Sequence, residues 1–197
     1  DSKQRDAPFP FIVTRISGCF GQPIAEWVIG RIISFERNFK LMDENQVKRK
    51  WGENLGVLKS YRNLSDLTLV ILGGYGDIGS CIAKAAKLGF GMKVIAYTKH
   101  SRTDAPTGVD ECTSDLSQAL KSADYLVSVL PSTPETRGLL SRNLLKKAST
   151  ACGGKSPVFL NCGRGDVINE SILIEALEKG YLKAAILDVF ATEPLPS

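Results

Sequence analysis

Three glycines at fixed spacing give the first chemical signal. Gly74-Tyr75-Gly76-Asp77-Ile78-Gly79 matches G-x-G-x-x-G. The apolar run Leu67-Thr-Leu-Val-Ile-Leu72 precedes it, and a stretch with Ile78, Ile82, Ala85 and Ala86 on one helical face follows. Between a strand and a helix, this motif reads as a cradle for a diphosphate. Gly74 allows the tight turn, Gly76 lets the ligand reach the backbone, and Gly79 permits close helix–strand contact. The free amides and positive dipole end of the helix would bind the anion.

A second signal lies 19 residues past Gly79, where the strand Lys93-Val-Ile-Ala-Tyr97 gives way to Thr98. An acid at this place binds the ribose diol of NAD. Here Thr98 replaces it, followed by Lys99-His100-Ser101-Arg102. A carboxylate would repel a 2′-phosphate, whereas two cations and a hydroxyl attract one. The segment therefore favours NADP, with a solvated basic loop and plain NAD binding as the alternative. His100 is the chain's single histidine, so these residues hold no site that needs two, such as most zinc hydrolase centres. It reads as a surface or 2′-phosphate residue rather than a catalytic one, and no metal site is expected.

These residues need elements to position them. Strand and helix patterns alternate after Asp66. Strands are expected at 67–72, 93–97, 125–130, 157–161 and 183–189. The intervening helices run from Asp77 to Leu88, from a Ser114 cap, from a Ser141 cap to Ala148, and from an Asn169 cap to Gly180. Their inner faces carry Leu116, Ala119, Leu120 and Ala123 in one case, and Ile172, Leu173, Ala176 and Leu177 in another. Strands separated by helices of this length mean βαβ units and a parallel sheet covered on both faces. Before them, Ile24, Trp27, Val28, Ile32, Phe35 and Phe39 predict one long helix over 23–46. Phe11-Ile12-Val13 reads as a short strand, and 47–60 as mostly loop. The fold class is α/β, a doubly wound parallel sheet of the Rossmann type. It forms one domain over 11–197 with a long N-terminal helix, after a polar tail at 1–10.

Composition agrees. The 197 residues are 43% hydrophobic and 23% charged, ordinary for a globular domain. The net charge of +4 does not argue for nucleic acid and suits an anionic small molecule. No run approaches the length of a membrane span. The five cysteines are dispersed and unpaired by motif. They read as reduced thiols in a reducing, cytoplasmic compartment. The polar start, beginning with Asp1, reads as a processed or truncated piece rather than a signal peptide.

Four further segments complete a pattern: Gln22-Pro-Ile-Ala-Glu26, Leu130-Pro-Ser-Thr-Pro-Glu-Thr136, Asn161-Cys-Gly-Arg-Gly-Asp-Val167 and Leu187-Asp-Val-Phe-Ala-Thr-Glu-Pro-Leu-Pro196. With the glycine loop, their order resembles the D-isomer-specific 2-hydroxyacid dehydrogenase family. Tyr-Thr-x-x-x-Arg and Arg-Gly-Asp-Val-Ile-Asn169 are similar to its glyoxylate/hydroxypyruvate reductase branch, which generally uses NADP. The resemblance implies that Arg164 is the catalytic arginine. A planar, permanently charged guanidinium can hold the carboxylate and carbonyl of a 2-oxo acid together. It implies that Glu193 partners a catalytic histidine and raises its pKa. Asp188 would contact the nicotinamide amide. Leu130, Pro131 and Thr136 would lie along the cofactor, and the backbone of Asp77 and Ile78 would meet the diphosphate. Gly163 keeps space beside Arg164. Cys162 would border the nicotinamide, with no support for a nucleophilic role.

The resemblance also implies missing parts. The family's histidine follows the glutamate by tens of residues, and a substrate domain precedes the cofactor domain. The expectation is thus a cofactor domain that binds dinucleotide and turns over little by itself. A non-catalytic NAD(H)-sensing interaction module, of the corepressor kind, is the alternative. Family members commonly dimerise through the long helix and the arm after it. The Trp27/Ile32/Phe39 stripe and Trp51 suit a homodimer, although part of that stripe must face its own sheet.

Overall fold

The computed structural model describes residues 12, 14, 16, 18–52, 55–100, 102, 104–151 and 156–195. Six strands form one parallel sheet: β1 (Thr68–Leu72), β2 (Lys93–Tyr97), β3 (Glu111–Thr113), β4 (Tyr125–Ser128), β5 (Val158–Asn161) and β6 (Ala184–Leu187). Their spatial order is β3-β2-β1-β4-β5-β6. The chain winds outward from β1 to one edge, then returns to lay β4 on its other side. That reversal opens a crevice at the carboxyl ends of β1 and β4, where open α/β sheets bind ligands.

The four central strands, β1, β2, β4 and β5, are buried on both faces. Leu69, Ile71, Val94, Tyr125, Val127, Val158 and Leu160 face one apolar cluster, shared with α1 (Gly21–Glu36) and α4 (Asp77–Lys84). Val70, Leu72, Ile95, Leu126 and Phe159 face the other. That side is covered by α5 (Leu116–Ser122), α6 (Arg142–Ala151) and α7 (Glu170–Glu178). This two-sided burial is why these strands read as near-continuous apolar runs.

Several boundaries differ from the sequence reading. The long helix expected over 23–46 begins at Gly21 and is two helices, α1 and α2 (Phe39–Val47). Asn38 breaks it at φ 54°, a left-handed conformation that asparagine tolerates. A short helix, α3 (Leu55–Lys59), interrupts the expected loop. The expected helix 77–88 is α-helical to Lys84 and then widens into a π turn over Ala85–Gly89. The cap of α5 is Asp115, which accepts from the Gln118 amide, rather than Ser114. Strand β4 stops at Ser128, two residues short of Leu130. The edge strand β3 was not expected. It is three residues long, Glu-Cys-Thr, with no residue fully buried, so it carries no apolar signal. The Asn169 cap is present, accepting from the Ser171 amide. The expected strand at Phe11–Val13 falls, apart from Ile12, outside the described residues.

A buried polar clamp sits where β1 and β4 begin. Asp124, just before β4, accepts from the Thr68 amide at 2.9 Å and from Arg62 Nη1 at 2.7 Å. Arg62 Nη2 also reaches Glu36 Oε1 at 2.5 Å, and the Tyr125 hydroxyl donates to the same oxygen at 2.6 Å. The clamp ties the end of α1 to the sheet. No helix among the described residues is long and apolar enough to cross a membrane.

Candidate active site

The glycine loop lies between β1 and α4. The Gly76 amide donates to the Gly73 carbonyl at 3.1 Å, and the Ser80 amide to the Gly76 carbonyl at 2.9 Å. No side chain caps this helix start. The amides of Asp77, Ile78 and Gly79 therefore lack an acceptor within the helix. The glycines divide the work by space. A methyl group on Gly79 would lie 2.3 Å from the Gly73 carbonyl oxygen. On Gly76 it would meet nothing nearer than 3.5 Å. Gly79 is thus required by packing, whereas at Gly76 a methyl group would make only ordinary contact. Gly74 packs against Ala96 of β2.

Two cavities meet at this loop and share Gly73 and Gly76. The first, of about 480 Å³, is lined by Gly76, Thr98, Lys99, His100, Arg102, Leu130 and Thr136, with Tyr75, Tyr97, Glu135 and Leu139. Seven residues named from the sequence thus line one cavity. The second, of about 220 Å³, is lined by Asp77, Ile78 and Gly79, with Phe20 and Val129. Ser101 lies outside the described residues. A larger cavity of about 680 Å³ lies among α2, α3 and the turn between them, and no residue named from the sequence for cofactor or catalysis lines it.

At the far end of the first cavity the Thr98 hydroxyl donates to the His100 carbonyl at 2.7 Å and closes the turn after β2. Lys99 reaches across to Glu135 at 3.5 Å. The hydroxyl of Thr133, foremost, and then a backbone bond and Lys99 hold the Glu135 carboxyl below the usual carboxylate range. Thr136 donates to the Pro131 carbonyl at 2.6 Å and accepts from the Thr133 amide at 2.8 Å. These bonds shape the loop after β4.

The remaining candidates stand on loops at the same sheet edge but line neither cavity. Register places Leu72 beside Ser128, Ser128 beside Asn161, and Asn161 beside Leu187. Asn161, fully buried at the end of β5, accepts from the Gly163 amide at 3.2 Å. Its amide donates to the Arg164 carbonyl at 2.9 Å. Asn161 thus fixes the turn that presents Arg164. The sequence places it in the Asn161–Val167 motif with no assigned task; an amide ending an apolar strand is the available signal. Arg164 itself is exposed, with Nη1 on the Gly163 carbonyl at 2.7 Å. Gly163 abuts the Leu130 backbone. Asp166 receives Ser132 Oγ at 2.5 Å and lies 3.3 Å from Arg137 Nε, joining this turn to the loop after β4.

Glu193 accepts from the Phe190 amide at 2.7 Å. Its segment meets that of Arg164 through the backbone. A methyl group on Gly165 would lie 2.0 Å from the Phe190 carbonyl carbon. Asp188 is exposed at the end of β6, its amide on the Asn161 carbonyl at 2.9 Å. Burial, and then the Asp188 charge, push the buried Cys162 thiol up to about 12. A thiol held protonated is a poor nucleophile.

Comparison with known proteins decides the family. Residues 29–197 match the profile described as D-isomer specific 2-hydroxyacid dehydrogenase, NAD binding domain. The chain belongs to this family. It is similar to glyoxylate/hydroxypyruvate reductase B of Enterobacter sp. (strain 638), 33% identical over 175 residues, covering 89% of this chain and 52% of the relative. It spans about half the length of the curated relatives it matches. Among solved structures, one is an NADPH-dependent glyoxylate/hydroxypyruvate reductase of Sinorhizobium meliloti in complex with NADP and sulfate. It is 31% identical with a TM-score of 0.76, covering 92% of this chain and 55% of that one. Another is a probable 2-hydroxyacid dehydrogenase of Rhizobium etli with NADP, HEPES and L(+)-tartaric acid. It is 29% identical with a TM-score of 0.78, covering 100% of this chain and 58% of that one. The dinucleotide-binding domain and Rossmann fold expected from the sequence are borne out.

Proposed function

We propose that this chain is the cofactor-binding part of a reductase that converts a small 2-oxo acid, of the glyoxylate or hydroxypyruvate kind, to a 2-hydroxy acid with NADPH. One observation carries the cofactor choice. The cavity end that would receive the adenosine ribose is walled by Thr98, Lys99, His100 and Arg102, and no acid ends β2. Glu135, the acid in that wall, is paired with Lys99. The uncapped start of α4 and the side-chain-free backbone of Gly76, which lines both cavities, suit the diphosphate.

The bound nicotinamide would supply the hydride. The chain's own residues supply binding and charge. Arg164 would hold the substrate carboxylate and polarise its carbonyl as negative charge grows on the oxygen. Asn161 keeps that arginine's turn in place. Asp188 would orient the nicotinamide amide, with Cys162 an inert wall beside it. Glu193 would carry the charge that holds an imidazole protonated. His100, the chain's one imidazole, lines the cavity end assigned to the adenosine ribose, so the proton donor must come from elsewhere. Alone, the chain would bind dinucleotide and turn over little, because an incompletely assembled site loses most of the gain from positioning.

A second copy would cover the arm. Phe39, Met42, Val47, Trp51, Leu55 and Val57 are all exposed on or between α2 and α3, an unusual density of apolar surface. Val28 and Ile32, by contrast, face the chain's own core. Small substrates, rather than nucleic acid or membrane, suit the mild charge. Free Cys19, Cys81, Cys112 and Cys162 suit a reducing, cytoplasmic setting.

Fluorescence titration of the purified chain with NADPH and NADH tests this reading. Tighter binding of NADPH is expected. Preference for NADH would overturn it in favour of a redox-sensing module.

A further inference from the structure

Tyr75 stands between the first two glycines of the motif, and neither the diphosphate nor the catalytic steps use it. Its surroundings are specific. The Arg102 guanidinium carbon lies 4.4 Å from the centroid of the Tyr75 ring. That is stacking distance for a cation on an aromatic face. The Tyr75 hydroxyl donates to the Asp104 carbonyl and lies 3.0 Å from Cys112 Sγ on β3. The Cys112 contact, and then desolvation, push the phenol up to about 12, so it keeps its proton at neutral pH. Asp104 also places a carboxylate 4.0 Å from Arg102. Ring and guanidinium both line the 480 Å³ cavity, beside Thr98 and Lys99.

From this geometry we propose that Tyr75 is a positioning residue for cofactor choice. Its ring holds the Arg102 guanidinium over the cavity, and its hydroxyl anchors the Asp104 backbone to the sheet edge. The ligand chemistry is a ribose 2′-phosphate, so the proposal rests on the NADPH reading given above. An exposed arginine on a mobile stem pays side-chain entropy each time it meets a phosphate. One already laid on an aromatic face pays less, and its planar donors stay available at the edge. The effect acts on discrimination. NADH has no 2′-phosphate, so the arginine's position matters little to it.

Binding of NADPH and NADH is measured for the wild type, Tyr75→Leu, Tyr75→Phe and Arg102→Ala, with 2′,5′-ADP and 5′-AMP as fragment probes. Thermal melts confirm that each variant is folded, and Tyr75→Phe keeps the ring should Tyr75→Leu not fold. Tyr75→Leu should weaken NADPH and 2′,5′-ADP about threefold to tenfold while NADH and 5′-AMP change less than about twofold. Tyr75→Phe keeps the stack and loses the anchor, so it should fall between wild type and Tyr75→Leu. Arg102→Ala should lose at least as much, and adding Tyr75→Leu to it should cost nothing more for NADPH. Equal losses for both cofactors, or an unchanged preference in Tyr75→Leu and Tyr75→Phe, would overturn the proposal alone. A wild type without NADPH preference would overturn the NADPH reading and the proposal together.

Discussion

Single residues divide into those that make the fold possible and those that leave room for a ligand, and the glycine motif contains both. Gly79→Ala forces a methyl group against the Gly73 carbonyl. It should destabilise the chain by about 1–3 kcal/mol, as overpacked sites do, and lose dinucleotide binding with it. Gly76→Ala would make only ordinary contact, 3.5 Å from the Gly73 carbonyl oxygen, at φ −73°, a conformation alanine adopts readily. It should leave the melting temperature the same or slightly higher while weakening NADPH strongly. Parallel thermal melts and titrations check the pair. The motif's spacing already assigns packing to Gly79 and ligand approach to Gly76. What only the fold shows is the packing partner, the Gly73 carbonyl folded back against Gly79. Asn161 was opaque for a related reason. Its bonds to Gly163 and Arg164 exist only once the turn is built.

Elements were legible in proportion to their burial. Strands β1, β4 and β5 are covered on both faces and announce themselves as apolar runs. Strand β3 lies at an edge and says nothing, and the break at Asn38 depends on one dihedral. The clamp that joins α1 to β4 was likewise unannounced, since its members lie far apart in sequence. Burial pushes the Glu36 carboxyl up, but bonds from Arg62 and Tyr125 and the Arg62 charge outweigh it and hold it below the ordinary 4.5. A carboxyl held low in the fold stabilises it above its unfolded value, and that stability is lost as pH falls through the folded value. Urea melts should therefore weaken progressively below about pH 4.5, and Glu36→Gln should reduce that slope. Arg62→Ala removes the guanidinium that bridges two buried carboxylates. With Arg62 itself partly exposed, the cost should be about 2–3 kcal/mol by the same melts.

At the scale of the whole molecule, the proposed function gives the chain the role of a cofactor platform. Arg164 and Glu193 stand on interlocked loops, but the imidazole that would pair with Glu193 is not among these residues. An assay with glyoxylate and NADPH should show binding without turnover at an ordinary enzyme rate, and such a rate would sink the platform reading. Light scattering on the same sample should give the mass of two chains, since the α2–α3 arm exposes apolar side chains that its own core leaves uncovered.

The clamp has a consequence in time as well as in energy. Arg62 and Asp124 are 62 residues apart, and Glu36 and Tyr125 are 89 apart. Their contacts cannot close until β4 has crossed over and docked beside β1. We expect them to close after the folding transition state, where a contact leaves the folding rate nearly untouched and sets how long the native state lasts once formed. Arg62→Ala should accordingly steepen loss by fast unfolding, seen as a raised unfolding limb in stopped-flow kinetics with the folding limb in place. On that account the clamp works as a latch, and the lifetime of the cofactor platform hangs on the side chain of Arg62.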